Sequence, residues 1–245
     1  MARYLIVNAD DFGLCRSVNQ GIIECFEHGI VTSTSLMIRQ PAAAEAAAYA
    51  RQNPRLGVGL HLDLGEWIYR HGDWQPLYQV ADILDSGAVK AELNLQVEEF
   101  RRLMGRDPDH LDSHQHVHCR EPVRAAATAL AKTLNLVLRA IHPDVRYCGH
   151  FYGQEDDGTP LPEAITLTAL EQVFADLPEG ITELCCHPGF TGDLKSIYLS
   201  QREDEVRVLC HPGARQALVR HEITLCSHQT ARQFMTISPH STRMD

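Results

Sequence analysis

An apolar run leads directly into two adjacent carboxylates near the start of the chain, in the stretch Tyr4-Leu5-Ile6-Val7-Asn8-Ala9-Asp10-Asp11-Phe12-Gly13. Residues 4–8 are typical of a buried strand, and Phe12-Gly13 predicts a bend directly after it. Two carboxylates at the end of a buried strand repel each other unless a cation or a proton lies beside them. We therefore expect a metal ligand next to a general base here. The alternative is that one Asp caps the following helix and the other is solvated.

Length and composition are those of a soluble globular protein. The chain has 245 residues, of which 44% are hydrophobic and 22% are charged. No apolar run approaches the roughly 18 residues that span a membrane, and no apolar signal region follows Met1, so we expect a cytoplasmic protein without membrane association. The net charge of -10 offers no basic stripe for nucleic acid, which favours a neutral or cationic small-molecule substrate.

Histidine is unusually frequent, with 14 residues, and it is both the commonest metal ligand and the usual acid or base near neutral pH. The eight cysteines contain no C-x-x-C pair, which argues against a zinc ribbon and against a redox motif. We expect these thiols to be reduced and mostly buried.

Short apolar and β-branched runs alternate with helical patterns along the chain, which predicts βα units and a parallel sheet. We predict an α/β fold, a single-domain (β/α) barrel that is TIM-barrel-like with about seven parallel strands. The predicted strands are residues 4–8, 33–38, 57–62, 110–114, 136–139, 182–186 and 223–226. The predicted helices are residues 18–28, capped by Ser17, and residues 42–52, 91–104, 121–134 and 168–177. One domain should span residues 1–245, with about 15 C-terminal residues as a tail.

Polar side chains collect where these strands end, which is where the chemistry of α/β barrels gathers. They are Asp10, Asp11, His61, His114, Arg139 and His187. Because these residues come from distant parts of the sequence, their convergence is a stronger argument for a site than any single motif.

Two long connections, residues 63–90 and 140–166, interrupt the alternation of strands and helices and are predicted to be binding loops. They contain aromatic side chains that a sugar ring could stack on, and the alternative is that these rings only anchor the loops. They are Trp67, Tyr69 and Trp74 in the first loop, and Tyr147, Phe151 and Tyr152 in the second.

The densest group of histidines is the stretch His110-Leu111-Asp112-Ser113-His114-Gln115-His116-Val117-His118. In an extended chain these imidazoles could not all reach one ion, so one or two ligands are expected, with His114 the best placed. Asp112 and His116 are predicted to lie behind the ligands, where a carboxylate fixes the tautomer of an imidazole. Solvated imidazoles at a polar strand end are the alternative.

His61 ends a nearly uncharged strand, where a buried imidazole needs a partner. Together with Asp11 and His114 it makes a set of two imidazoles and one carboxylate. Such a set holds a divalent ion and leaves positions open for water and substrate. A core histidine with satisfied hydrogen bonds is the alternative.

His187 follows another apolar strand, in Cys185-Cys186-His187-Pro188-Gly189, where it could protonate a leaving group. A near copy, Cys210-His211-Pro212-Gly213, follows the helix-like run 201–209. We interpret His211 as structural, on a turn that bounds a helix.

Several motifs taken together resemble those of the YdjC-like carbohydrate deacetylase family, in order from residue 4 to about residue 227. They are Val7-Asn8-Ala9-Asp10-Asp11-Phe12-Gly13, Gly21-Ile22, Val31-Thr32-Ser33, Gly59-Leu60-His61, the histidine-rich stretch 110–118, Leu138-Arg139, Phe151-Tyr152-Gly153 and Cys186-His187-Pro188. The resemblance implies a barrel with fewer than eight repeats, a bound divalent metal ion, and hydrolysis of an N-acetyl group on an amino sugar.

The resemblance also implies roles for single residues. The matches are Asp11, His61 and His114 for the metal ligands, Asp10 for the catalytic base, His187 for the catalytic acid, and Arg139 for an arginine that orients the base. The ion would be Mg²⁺ or Zn²⁺, and Mn²⁺ or Co²⁺ would also suit these ligands. The substrate would be a small carbohydrate, chito-oligosaccharide-like, and a homodimer is expected.

Other functions fit part of this pattern. Two imidazoles and a carboxylate also occur in non-haem iron oxygenases and in some phosphoesterases. An oxygenase does not require the adjacent Asp10, and a phosphoesterase would need phosphate-binding cations near the strand ends, where only Arg139 is placed. A sugar-binding protein without turnover is the third alternative.

Overall fold

The computed structural model describes residues 2–155, 157–194 and 196–235. Most of the predicted C-terminal tail, from residue 236 onward, lies outside these residues. The described residues form a single α/β domain.

Ten strands are present in the described part of the chain. They are β1 (Arg3–Phe12), β2 (Ser33–Leu36), β3 (Gly57–Leu62), β4 (Gly65–Arg70), β5 (Asp73–Gln79), β6 (His110–Ser113), β7 (Val137–Leu138), β8 (Val145–Cys148), β9 (Gly180–Cys186) and β10 (Ile223–Leu225). All of them except β4 and β5 pair in parallel, so these eight strands end at the same edge of the sheet.

Helices follow or flank most of these strands. They are α1 (Arg16–Glu27), α2 (Ala43–Gln52), α3 (Ser86–Met104), α4 (Val123–Leu134), α5 (Leu167–Asp176), α6 (Ser200–Leu209), α7 (Pro212–Arg220) and α8 (His228–Ala231), with 3₁₀ turns at His114–Cys119 and Pro162–Ile165. Among the described helices, none combines the length and the apolar composition needed to cross a bilayer.

Seven parallel strands form a nearly closed barrel in the order β7-β6-β3-β2-β1-β9-β8. β1 lies between β2 and β9 in this order, and its first residues also pair with β10. The predicted α/β class and the seven-stranded parallel barrel are confirmed. Every predicted strand exists, with ends that differ by a few residues.

The membership of the barrel differs from the prediction at one place. β8 lies inside the segment 140–166 that was predicted to be a loop, whereas β10, which was predicted as one of the seven, lies off the main order. β8 has only four residues, and two of them are not buried, so it carries too little apolar periodicity to be recognised.

The first predicted loop, residues 63–90, contains an antiparallel hairpin of β4 and β5 and the first turns of α3. Its turn is His71-Gly72, and both residues have positive φ, 55° and 85°. Two such residues are what a two-residue hairpin turn requires, because their twist matches that of the flanking strands. The hairpin places aromatic side chains beside the strand ends.

The start of α1 differs from the prediction that Ser17 is its cap. The helix begins at Arg16, and the cap residue Cys15 makes no side-chain hydrogen bond. The carboxylate of Asp193 instead accepts from the backbone N–H groups of Arg16 and Ser17, at 3.2 and 3.1 Å, and from the Ser17 hydroxyl. A carboxylate distant in the sequence therefore accepts hydrogen bonds from the free N–H groups at the N-terminus of α1, the positive end of the helix dipole.

Phe151 was predicted to offer its ring to a sugar, and the structure contradicts this. Its side chain is 0% exposed and belongs to the main hydrophobic core. Phe151 therefore anchors its loop, because burying the large apolar area of an aromatic ring in the core stabilises the fold more than leaving it exposed would.

Replacing Phe151 by Ala should lower the free energy of unfolding by about 3–5 kcal/mol, since it leaves a cavity in the core. Phe190, which is 36% exposed, is the matched control, and its replacement by Ala should cost about 1 kcal/mol or less. Urea denaturation of both variants measures the difference. Equal losses would contradict the assignment of Phe151 to the core.

Candidate active site

The two adjacent carboxylates reach one cavity through a bulge in β1. The register between β1 and β2 shifts between Ala9 and Phe12, and Asp11 has φ of 68°. Such a left-handed conformation is uncommon outside glycine and is often found at functional sites. Asp10 and Asp11 are each 1% exposed, yet both line the same cavity. The break that the sequence predicted after the strand thus occurs within it.

This cavity has a volume of about 420 Å³ and lies where the barrel strands end. Its lining includes most of the polar residues predicted to form a site, namely Asp10, Asp11, His61, His114, His116 and His187. The volume is within the range of small-molecule sites. Arg139 and Asp112 lie behind this lining, fully buried.

Asp11 lies beside two imidazoles in an arrangement that fits a divalent ion. Its Oδ1 is 3.4 Å from His61 Nε2 and 3.2 Å from His114 Nδ1. Ligand atoms at the corners of a tetrahedron around zinc lie about 3.3 Å apart, given bonds of about 2.0–2.1 Å. Asp11 Oδ1 is also buried without a hydrogen-bond partner, which is unusual for a carboxylate oxygen. The three residues therefore match the requirements of a metal site.

The other oxygen of Asp11 is held by Arg202 of α6, at 2.5 Å from its guanidinium. Burial alone would raise the pKa of Asp11, but Arg202 and the two imidazoles hold this pKa well below its usual value. Asp11 is therefore ionised, as a metal ligand must be. Arg202 could not be predicted from the sequence, because the composition of α6 is typical of a charged and solvated helix.

Asp112 fixes the orientation of His61, which is the arrangement expected if His61 is a metal ligand. Its Oδ1 accepts from His61 Nδ1 at 2.8 Å, which leaves Nε2 facing Asp11. Its Oδ2 is held by Ser35 and by Arg139 at 2.8 Å. A metal-ligating imidazole almost always has such a partner on its other nitrogen.

Asp10 is clamped by Arg139 through two hydrogen bonds of 2.6 and 2.7 Å. Asn8 donates a third, at 2.9 Å, to Asp10 Oδ1. Burial would raise the pKa of Asp10, but the guanidinium of Arg139 and the imidazole of His61 together lower it below its usual value. On its other side, Arg139 donates from Nε to Glu183 at 2.7 Å. Glu183 was missed, although a lone charged residue in an apolar strand was a visible signal.

His187 lies at the end of β9, with Nε2 3.7 Å from Asp10 Oδ2. Burial lowers the pKa of His187 to about 4, and its Nδ1 is buried without a hydrogen-bond partner. Its backbone N–H donates to Glu205 at 2.5 Å, and Glu205 also accepts from the Tyr198 hydroxyl. Burial raises the pKa of Glu205 to about 8. Glu205 and Tyr198 gave no signal in the sequence, because their role depends on α6 folding back on β9.

The remaining histidines of the dense stretch point in different directions, because the chain leaves the extended conformation at Gln115 and His116, with φ of 51° and 53°. His116 bonds to the Tyr147 hydroxyl at 3.0 Å and lines the cavity. His116 was predicted to lie behind the proposed metal ligands, but its side chain instead lines the cavity. His118 forms a hydrogen bond with the Ser113 hydroxyl at 2.6 Å, which holds the turn between these two residues.

Of the aromatic residues predicted to stack on a sugar, Tyr147 lines only the main cavity, and four others divide into two groups. Trp67 and Tyr152 line the main cavity and also an adjoining cavity of about 260 Å³. Tyr69 and Trp74, on the hairpin, line only the adjoining cavity, with ring centroids 5.6 Å apart. Apart from Phe151, these rings therefore form a wall that runs outward from the strand ends.

His211 caps α7, and its side chain accepts from the backbone N–H of Gly213 at 3.0 Å. This position confirms the interpretation of His211 as structural. The two copies of the His-Pro-Gly motif therefore differ in location, since only His187 lines the cavity.

Comparison with known proteins places the chain in a family. A family model described as YdjC-like protein matches residues 4–220. Chitooligosaccharide deacetylases of Proteus mirabilis and Serratia marcescens are 33% and 31% identical to it, and each alignment covers 94% of this chain and 99% of the relative. The crystal structure of an Enterococcus faecalis protein matches with a TM-score of 0.73 and 27% identity, covering 94% of this chain and 99% of that one. The chain belongs to the YdjC-like family.

Proposed function

We propose that this protein is a metal-dependent hydrolase that removes an N-acetyl group from an amino sugar or a short chito-oligosaccharide. One observation carries the proposal: an ion-binding set, Asp11 with two imidazoles, lies next to a second carboxylate, Asp10, that Arg139 keeps ionised. The names of its relatives, chitooligosaccharide deacetylases, support the same activity.

The ion would be held by Asp11, His61 and His114, whose ligand atoms lie within 4.8 Å of one another. When bound, a divalent ion supplies activation of a water molecule and polarisation of the acetyl carbonyl. Two imidazoles suit Zn²⁺ or Co²⁺ better than Mg²⁺, which prefers oxygen ligands. Arg202 and Asp112 would orient Asp11 and His61 for this role.

Asp10 would act as the general base that accepts a proton from the attacking water. Arg139 occupies both carboxylate oxygens, so Asp10 cannot rotate away from the cavity. The guanidinium also keeps the carboxylate ionised in a site where burial opposes charge. Arg139 would therefore position Asp10 without touching the substrate.

His187 would act as the general acid that protonates the departing nitrogen. Because burial lowers its pKa to about 4, the imidazole is neutral near neutral pH and must first gain a proton. Asp10 Oδ2 lies 3.7 Å from His187 Nε2, so the proton taken from water has a short path to the imidazole. The same proton could thus serve both steps of the reaction.

A phosphoesterase is a weaker candidate. Such an enzyme needs cations free to bind phosphate, but the two guanidiniums at this cavity are engaged by carboxylates, Arg139 by Asp10 and Arg202 by Asp11. The wall of Trp67 and Tyr152 instead offers aromatic faces, which suit a sugar ring.

Acetate release from diacetylchitobiose and longer chito-oligomers tests the proposal. Metal-stripped protein should be inactive, and adding Zn²⁺, Co²⁺, Mn²⁺ or Mg²⁺ should restore turnover to different extents. Asp10→Asn should lower kcat by about 10²–10⁴-fold, because it removes the base. Asp176→Asn, on the exposed end of α5, is the control. Metal binding without turnover of any acetylated sugar would contradict the proposed activity.

The two copies of the His-Pro-Gly motif provide a matched pair for the acid. His187→Ala should lower kcat by about 10²–10⁴-fold with little change in KM. His211→Ala should leave kcat unchanged and cost only about 1 kcal/mol of stability, since it removes a helix cap. Steady-state kinetics and thermal unfolding measure both. A loss of kcat in the His211 variant and not in the other would reverse the assignment.

Asp112→Asn should weaken metal binding by about 10–100-fold, because it loosens the orientation of His61. Competition with a chelator of known affinity measures this loss directly, without any substrate. Asp176→Asn again serves as the control. Unchanged metal affinity in Asp112→Asn would contradict the role of the Asp112–His61 hydrogen bond in metal binding.

A further inference from the structure

A second group of potential metal ligands lies beside the first. Asp10 Oδ2 is 3.4 Å from Cys185 Sγ and 3.7 Å from His187 Nε2. The sulfur and this nitrogen are 4.0 Å apart. All three side chains line the main cavity, so an ion from solvent can reach them. None of the three belongs to the group formed by Asp11, His61 and His114.

These distances match a tetrahedral site for zinc or cadmium. With bonds of about 2.3 Å to sulfur and about 2.0–2.1 Å to nitrogen and oxygen, the ligand atoms of a tetrahedron lie about 3.3–3.6 Å apart. The three observed separations differ from these values by a few tenths of an ångström. Small side-chain rotations would therefore complete three corners, and because all three residues line the cavity, a water molecule can supply the fourth ligand.

The charges around the group do not oppose a second cation. Besides Glu205, whose raised pKa of about 8 keeps it protonated near neutral pH, four fully buried carboxylates surround this part of the cavity. Among the described residues, the buried guanidiniums of Arg139 and Arg202 pair with them. The carboxylates are Asp10, Asp11, Asp112 and Glu183. One divalent ion at Asp11 would neutralise this excess, and the thiolate of Cys185 would carry part of the charge of another.

We propose that Asp10, Cys185 and His187 form a second site that binds a thiophilic divalent ion, Zn²⁺ or Cd²⁺, and that its occupation blocks the enzyme. The inhibitory consequence rests on the proposed function, because the ion occupies the atoms assigned to the base and the acid. On binding, the Cys185 sulfur releases its proton to solvent and donates an electron pair to the ion. Mg²⁺, which prefers oxygen ligands, does not bind here.

Cadmium titration of the metal-stripped protein tests the site without any substrate. Cadmium–thiolate bonds absorb in the ultraviolet, so each equivalent that binds a thiolate is visible. The wild type should show a Cys185-dependent band, and Cys185→Ala should lack it. Cys186→Ala is the matched control, because the Cys186 sulfur donates to the Asn8 carbonyl and lies outside the group.

Other thiols also bind cadmium and add a background absorption that is common to the wild type, Cys185→Ala and Cys186→Ala. The sulfurs of Cys25 and Cys210 lie 3.8 Å apart, and Cys119 is exposed. The test is therefore the difference in cadmium–thiolate absorption between Cys185→Ala and Cys186→Ala. Cys185→Ser, which keeps the size of the side chain, serves as a second variant if Cys185→Ala does not fold, as judged by circular dichroism.

Acetate release with increasing Zn²⁺ tests the inhibitory consequence, each variant being normalised to its own maximal rate. The wild type should be activated by the first equivalent and inhibited by excess zinc, whereas excess Mg²⁺ should not inhibit. Cys185→Ala should require at least about tenfold more zinc for inhibition, since losing even an outer partner of a ligand costs that much.

The outcomes separate the two proposals. Equal cadmium bands in the wild type and in Cys185→Ala would overturn the second site. A Cys185-dependent band without inhibition of acetate release would overturn its inhibitory role. A Cys185-dependent band in a protein that turns over no acetylated sugar would support the site and refute the deacetylase function.

Discussion

The buried guanidinium of Arg139 is the interaction on which the rest of the site depends. It bridges Asp10 on β1, Asp112 on β6 and Glu183 on β9, and its side chain is fully buried. Buried carboxylates stay ionised only if a cation compensates them, and removing that cation is strongly destabilising. Arg139 therefore ties three strands of the barrel together and at the same time keeps the proposed base charged. The stability of the barrel and the charge of the proposed base therefore both depend on Arg139.

The bulge at Asp11 then gives two neighbours in the sequence different partners. Asp10 turns toward Arg139, whereas Asp11 turns toward Arg202, His61 and His114. A regular strand would place their side chains on opposite faces. Because the positive φ of Asp11 brings both into one cavity, the proposed metal ligand and the proposed base lie side by side without sharing a proton.

The same compactness explains why the site would be open to a second ion. A proton passes from Asp10 to His187 only if their side chains are close, and closeness also makes them potential ligands of one metal. Cys185, two residues before His187 on the same strand, supplies the soft ligand that selects zinc over magnesium. On the proposals made above, zinc would activate at one position and inhibit at the next.

The sequence by itself determined the βα pattern, the strand ends and the residue types gathered there, because these depend on local periodicity and on where polar residues follow apolar runs. Asp10, Asp11, His61 and His114 could be predicted in this way. Only the tertiary structure decided that Arg202 and Glu205 reach the cavity, that Phe151 is core and that β8 is a strand. These outcomes depend on contacts between residues far apart in the chain, which no local pattern records.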